Sequence, residues 1–270
     1  MRVLVTGAAG SIGRTLVAGL PASGHEVVGL DLLPDPAGAT AWHVADCTDP
    51  DAVDAAVAAQ PLDAVVHLAG DPGETSLPDA LSGHVVSTGA LLDAMLAHGV
   101  GRMVYASSNH AVGRHRRTEL DDGLLTVDVR PRPDTFYGVG KVAAEALMSL
   151  YADRYGLDVL ACRIGSFEEH PTTVRHLSTW LSPDDCVRMV HACLTTPAPG
   201  WAVLHGISAN TRAWWDLEPG RRLGYEPADD AEEYAALVEA RADDAAENAV
   251  VGGPTTFTDL ERPALDRPQS

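Results

Sequence analysis

Nothing in the cysteine pattern of this sequence points to a disulfide framework or a metal centre. Cys47, Cys162, Cys186 and Cys193 lie far apart or in apolar surroundings, with no Cys-x-x-Cys and no histidine at ligand spacing. They read as small buried hydrophobes in a reducing compartment. Long hydrophobic runs are also missing: apolar stretches are broken by charge or glycine well short of the roughly 20 residues that span a bilayer. The apolar opening at residues 2–6 is too short for a secretion signal and runs straight into glycines, so a cytoplasmic protein is expected. Positive charge is scarce, 19 Lys and Arg against 38 Asp and Glu, a formal net charge of −19. Such a surface repels a polyanionic backbone and argues against nucleic acid as a partner. No internal period suggests a repeat architecture.

What is present suits a globular enzyme. Apolar residues make up 46% of 270, enough for one large domain, or one domain and a small cap. The first two-thirds alternates short apolar runs, predicted strands at 2–6, 26–31, 42–45, 64–69, 103–107 and 158–164, with amphipathic segments, predicted helices at 11–21, 51–59, 82–98 and 137–155. This alternation predicts an α/β fold, a Rossmann-type doubly wound parallel sheet that binds ligands at the carboxyl ends of its strands. Residues 1–164 are read as the dinucleotide-binding core and 165–227 as a small substrate-binding cap that returns to it. That cap region includes a helix at 182–195, capped by Ser182 with Pro183 in its first turn, and a strand at 201–207. Residues 228–270 read as an acidic tail, helical to Ala246 and disordered after it.

Thr6-Gly7-Ala8-Ala9-Gly10-Ser11-Ile12-Gly13 follows the first strand and opens a helix. Glycines there permit a tight turn and close approach of a pyrophosphate, and the helix N-terminus offers N–H donors and partial positive charge. Asp31, 24 residues after Gly7 at the end of the second strand, is placed to accept hydrogen bonds from the adenosine ribose hydroxyls. It would repel a 2′-phosphate, and neither Leu32 nor Leu33 supplies a cation to receive one, so NAD is expected over NADP. Asp46 is a candidate for the adenine edge or else a helix cap, and its neighbour Cys47 is a further cofactor candidate. Leu68, Ala69 and Gly70 end the fourth strand where the cofactor crosses the sheet.

Tyr137-Gly138-Val139-Gly140-Lys141 sets a phenol and an ammonium at i and i+4 on one helical face. The ammonium is expected to lower the phenol pKa and make Tyr137 a base. Ser107-Ser108-Asn109-His110 closes the fifth strand, and the Ser108 hydroxyl can bond a substrate oxygen. The three side chains together imply hydride transfer: Tyr137 takes a hydroxyl proton, Ser108 holds the oxygen, and Lys141 tunes Tyr137 and binds the nicotinamide ribose.

On these motifs the chain resembles the extended short-chain dehydrogenases, the NAD-dependent epimerase/dehydratase family, and within it the uronate dehydrogenases. The resemblance runs from about residue 2 to 227 and also rests on His67–Gly70, Arg132-Pro133-Asp134, Arg163–Ser166, Leu177–Ser182 and Trp214-Trp215. It implies oxidation of the anomeric carbon of glucuronate or galacturonate to an aldarolactone. Ser108 and Tyr137 would sit on the anomeric oxygen, Asn109, His110 and Ser166 along the sugar, and Arg175 on the uronate carboxylate, which a guanidinium grips bidentately. Pro72 stands where these enzymes carry a serine that touches the sugar, and Gly140 replaces the usual Ser or Thr. Arg114-His115-Arg116-Arg117 opens a long segment that reads as a solvated loop or a phosphate site. Oxidation of an aldose or aldose phosphate, and epimerase or dehydratase action on a nucleotide-linked sugar, are the alternatives; the short C-terminal region leaves little room for a nucleotide. The family implies a homo-oligomer built on the 82–98 and 137–155 helices, although Leu91, Leu92, Met95, Leu147, Met148 and Leu150 serve equally well as core.

Overall fold

In the computed structural model, which describes residues 1–36 and 38–256, the elements follow in this order. β1 (Arg2–Thr6), α1 (Ser11–Gly19), β2 (Glu26–Asp31), β3 (Ala41–Val44), α2 (Pro50–Ala58) and β4 (Ala64–His67) form the first half. Then come α3 (Leu77–Leu81), a π-turn (Ser82–Val86), α4 (Ser87–His98), β5 (Arg102–Ser108), α5 (Phe136–Tyr155) and β6 (Asp158–Ile164). The C-terminal part holds β7 (Ser166–Phe167), α6 (His176–Thr179), β8 (Trp180–Leu181), α7 (Pro183–Thr195), β9 (Trp201–Gly206), α8 (Glu218–Arg222) and α9 (Asp244–Asn248). Seven strands pair in parallel in the order β3-β2-β1-β4-β5-β6-β9, and β7 and β8 make a separate two-stranded ladder. The order reverses direction between β1 and β4, which places a crevice at the carboxyl ends of those strands.

The central strands are apolar on both sides because helices cover both faces. Leu16 and Val17 of α1 and Met189, Val190 and Cys193 of α7 fill one layer. Val53 and Val57 of α2, Leu91, Leu92 and Met95 of α4, and Ala144 and Met148 of α5 fill the other. Leu91, Leu92, Met95 and Met148 are therefore core, while Leu150 is about half exposed. All four cysteines are free and buried. Among the described residues one helical stretch, Leu77–His98, is long and apolar enough to cross a membrane by length and composition, and 44% of its most apolar window is buried.

Three departures from the sequence reading bear on the site. The fourth strand stops at His67: after one last bond from the Leu68 N–H to the Thr6 carbonyl the chain turns away at Gly70, whose φ is 142°. The third helical stretch begins five residues early, where Ser76 caps α3 by accepting from the Asp79 N–H and Pro78 occupies its first turn. The tail departs most. In place of one acidic helix to Ala246 there is a 3-10 turn (Ala231–Leu237) and then α9, and the chain doubles back to bury Val250 and Val251. The Val251 N–H donates to the His115 carbonyl, and Val250 pairs with Arg116. Residues 257–270, the end of the tail expected to be disordered, lie outside the described residues. The segment read as a cap also divides: α7 and β9 join the sheet layers, while the flanking segments cover the strand ends.

The Ser182 hydroxyl accepts from the Asp185 N–H at 2.9 Å, capping α7, and donates to Asp229. Ser182→Ala is expected to cost about 1–2 kcal/mol, read as a lower urea midpoint at unchanged m-value; an unmoved midpoint would contradict this account of the cap.

Candidate active site

The glycine turn is set by space as much as by backbone angle. Gly7 has a φ of +65°, and a Cβ on Gly13 would sit 2.3 Å from the Gly7 carbonyl oxygen. Any side chain there would push α1 away from β1. Gly10 starts α1 with no side-chain cap, and its first turn holds no acid, so its N–H groups remain available to an anion. A cleft of about 710 Å³ opens above this helix start and runs across the strand ends, lined by Gly7, Gly10, Ser11, Ile12 and Gly13. Asp31, Asp46, Cys47, Leu68, Ala69 and Gly70 line the same cleft, which reaches Ser108, Tyr137 and Lys141 at its far end. A turn that excludes side chains, an uncapped helix and a carboxylate at the end of β2 fit a dinucleotide. The Asp31 carboxylate is held in place by the Ala9 and Leu33 N–H groups at 2.9 and 3.0 Å. Asp46 accepts from the N–H and hydroxyl of Thr48, and Asp49 rather than Asp46 caps α2. Burial pushes the Cys47 thiol up to about 12, so it lies in the cleft as a neutral hydrophobe.

Tyr137 sits in the first turn of α5, whose N-cap Thr135 accepts from the Gly138 N–H. Close packing explains the glycines around it, since a Cβ on Gly138 would meet the His110 carbonyl oxygen at 2.4 Å. The Tyr137 ring lies edge-on to His84 and His110, with centroids 5.0 and 5.7 Å away. Burial raises its pKa and a hydrogen bond with Ser108 pulls it back. The expected lowering by Lys141 is therefore not the leading effect. The ammonium donates to the Ala106 carbonyl at 2.6 Å and lies 5.3 Å from the Tyr137 ring centroid, and burial depresses its own pKa to about 7.

A second cavity, about 210 Å³, adjoins the first; Gly165 lines both. It brings together Asn109, His110, Ser166 and Arg175. The Asn109 amide donates to the Val251 carbonyl, and His110 Nδ1 lies 2.9 Å from the buried Asp134 carboxylate. Arg175 Nη1 donates to Ser166 Oγ at 3.0 Å and to Thr179 Oγ1 at 3.3 Å, and Nη2 donates to the Val251 carbonyl at 2.5 Å. Nε has no partner, and among the described residues no carboxylate lies within ion-pair distance of this guanidinium. Desolvation lowers its pKa to about 10.

Sequence reasoning did not find the tail's part in this cavity: Arg241, Glu247, Gly252, Pro254 and Thr255 line it. Thr256 donates to Asp134, and no side chain fits at Gly252, where a Cβ would lie 1.7 Å from Asp134 Oδ2. The signal was the apolar pair Val250-Val251 running into Gly252-Gly253-Pro254 within an acidic stretch. Also missed was His84, on the π-turn, which lines the large cleft beside Tyr137. Pro72 lines the large cleft. The arginine-rich segment lines neither cavity; Arg117 stacks on Trp214, and His115 reaches the Arg130 carbonyl.

The sequence profile of the NAD dependent epimerase/dehydratase family matches residues 3–181. The chain belongs to this family. It is 35% identical over 248 residues to a uronate dehydrogenase of Pseudomonas putida, covering 92% of this chain and 91% of the relative. It is 40% identical over 236 residues to a uronate dehydrogenase of Agrobacterium fabrum, covering 86% of each chain. Its structure is similar to that of a variant uronate dehydrogenase from Agrobacterium tumefaciens complexed with NAD, at a TM-score of 0.86, 37% identity and 97% coverage of both chains.

If Asp31 selects against a 2′-phosphate, Asp31→Asn keeps the side chain's shape and removes its charge. The ratio of kcat/KM with NAD to that with NADP is then expected to fall at least about tenfold; an unchanged ratio would place cofactor selection elsewhere.

Proposed function

We propose that this protein oxidises the anomeric carbon of a hexuronate, glucuronate or galacturonate, to an aldarolactone with NAD. The observation that carries the proposal is Arg175, a buried guanidinium on the wall of the second cavity with hydroxyl and carbonyl partners only. Asp134 and Glu247 act on it only at a distance; burying a cation without a directly paired anion is costly, and a substrate carboxylate meets that need. The cavity's volume of about 210 Å³ suits a monosaccharide, which favours a free sugar acid over a nucleotide-linked one.

The Gly7–Gly13 turn and the start of α1 hold the cofactor's pyrophosphate, Asp31 its adenosine ribose, and Lys141 its nicotinamide ribose. NAD, when bound, supplies the hydride acceptor. With the carboxylate on Arg175, Asn109, His110 and Ser166 border the sugar ring, and its C1 hydroxyl is directed to Ser108 and Tyr137. Ser108 donates to the C1 oxygen and Tyr137, as phenolate, removes the hydroxyl proton. Loss of the C1 hydrogen as hydride leaves a C1 carbonyl closed through the ring oxygen, which is the lactone. Burial raises the Tyr137 pKa, so a nearby cation that favours the phenolate is part of the chemistry, and Lys141 is that cation. His110 is kept in one orientation by Asp134, itself fixed by Thr256. The same reading carries a cytoplasmic homo-oligomer packed through α4 and α5, to which the exposed Val86, Leu150 and Tyr155 contribute apolar area.

Arg175→Ala should lower kcat/KM for glucuronate at least about a hundredfold, roughly 2–3 kcal/mol, with NAD affinity unchanged. Its residual rate should no longer distinguish glucuronate from glucose. An unchanged KM for glucuronate would remove the carboxylate role from Arg175. Tyr137→Phe should abolish NADH formation while NAD still binds, as judged by quenching of intrinsic tryptophan fluorescence; full turnover would refute the proton-transfer role.

A further inference from the structure

Lys141 is the only lysine in the 270-residue sequence, and its side chain is buried except where it lines the large cleft. On α5, Tyr137 precedes it by one turn and Glu145 follows by one turn. From β5 the Tyr105 ring faces it with the centroid 4.7 Å from Nζ, and the Ala106 carbonyl accepts its hydrogen bond. His67 of β4 and His84 of the π-turn also feel its charge, and burial holds both far below the usual imidazole range, at about 3, so neither carries a charge of its own. Among the described residues, Glu145 is the anion that acts on this ammonium.

Glu145 is itself fixed from three directions. Its side chain is 6% exposed, and its two carboxylate oxygens accept from Arg163 Nε at 3.1 Å and Nη2 at 2.8 Å, a bidentate pair with a residue of β6. Oε1 also accepts from the Ser107 hydroxyl at 2.5 Å. Ser107 and Ser108 are neighbours on β5 and point to opposite faces: Ser107 toward Glu145, Ser108 toward the cleft and Tyr137. One carboxylate therefore ties α5 to β5 and β6 at the level of the reacting groups. Its charge is divided between a guanidinium that it pairs directly and an ammonium one turn away.

We propose that Glu145 is a positioning residue for the dehydrogenase reaction, holding Lys141 charged and in register with Tyr137 through its clamp on Arg163 and Ser107. The proposal rests on the reading of Tyr137 and Lys141 as the catalytic pair. It assigns to the buried ion pair a role beyond stability: a buried pair contributes little net stability over an apolar replacement, whereas a fixed negative charge behind the ammonium governs its protonation.

Because the chain has one lysine, protein labelled with 13C at lysine Cε gives a single lysine resonance, and its pH titration reads Lys141 with no turnover required. Glu145 favours the charged form, so the midpoint should fall by about one pH unit in Glu145→Gln. The alkaline limb of the kcat/KM profile should move down with it, the ammonium being lost at lower pH. Glu145→Asp, which restores the charge, should bring both back toward the wild-type values. If the glutamine variant, with Arg163 left unpaired, does not fold, Glu145→Gln/Arg163→Met removes both charges and should still show a lowered midpoint. A lysine midpoint and alkaline limb that stay in place while kcat falls would overturn the proposal and leave Glu145 a structural wedge. Lys141→Met separates the two readings: retained kcat in that variant would refute the catalytic pair, whatever the titration of the others shows.

Discussion

Positive charge buried beneath the strand ends constrains the whole site, because a cation out of water must be given compensating partners. Three such cations lie within the carboxyl-end layer. Arg163 has a carboxylate gripped in two places. Lys141 has a backbone carbonyl, two aromatic faces and the residual field of that same carboxylate. Arg175 has two hydroxyls and a carbonyl. Among the described residues, only the first of these is paired directly by a carboxylate; the other two feel carboxylates at a distance, Glu145 for Lys141 and Asp134 and Glu247 for Arg175. Arg175, which neither of its carboxylates pairs directly, is the one on a cavity wall of a size for one sugar. In the proposed reaction the substrate carboxylate would pair Arg175 directly.

The fold supplies the positions at which these charges can be held. Parallel strands end together, so residues from β1, β2, β4, β5 and β6 reach one crevice without long loops. Alternation along β5 separates adjacent serines, Ser107 bracing α5 through Glu145 and Ser108 lying beside Tyr137, where the proposed reaction would place the C1 oxygen. The start of α5 packs so closely on the turn after β5 that Gly138 leaves no room for a side chain. The phenol is thus placed by backbone contact as well as by its own surroundings. The second cavity is finished by the last part of the chain, with Val251 offering one carbonyl to both Asn109 and Arg175.

Much of this was legible in the sequence because it is local. The strand and helix periods, the glycine turn, the Asp31 position and the i, i+4 spacing of Tyr137 and Lys141 are patterns within a few turns of chain. The strands of the main sheet lie within two residues of this reading at each edge, and the cofactor candidates line one cleft. Contacts made across many residues were not legible. Nothing near Asp134 announces that Thr256 will bond it, and nothing around Asn109 predicts the Val251 carbonyl 142 residues on. The acidic composition of the tail pointed to solvent, and Val250 and Val251 outweighed it by burying apolar surface. The pKa of Tyr137 was misjudged for a similar reason: the spacing shows which charges are near, whereas burial depends on the complete fold.

The central claim is net oxidation at C1 of a free sugar acid, and its most direct measurement follows that carbon. Glucuronate labelled with 13C at C1, incubated with the enzyme and NAD and observed by carbon NMR, should convert its anomeric signals to a lactone carbonyl with one equivalent of NADH. Return of the label in an epimeric uronate without NADH accumulation, or conversion of labelled glucose or glucose 6-phosphate in preference to glucuronate, would contradict the account.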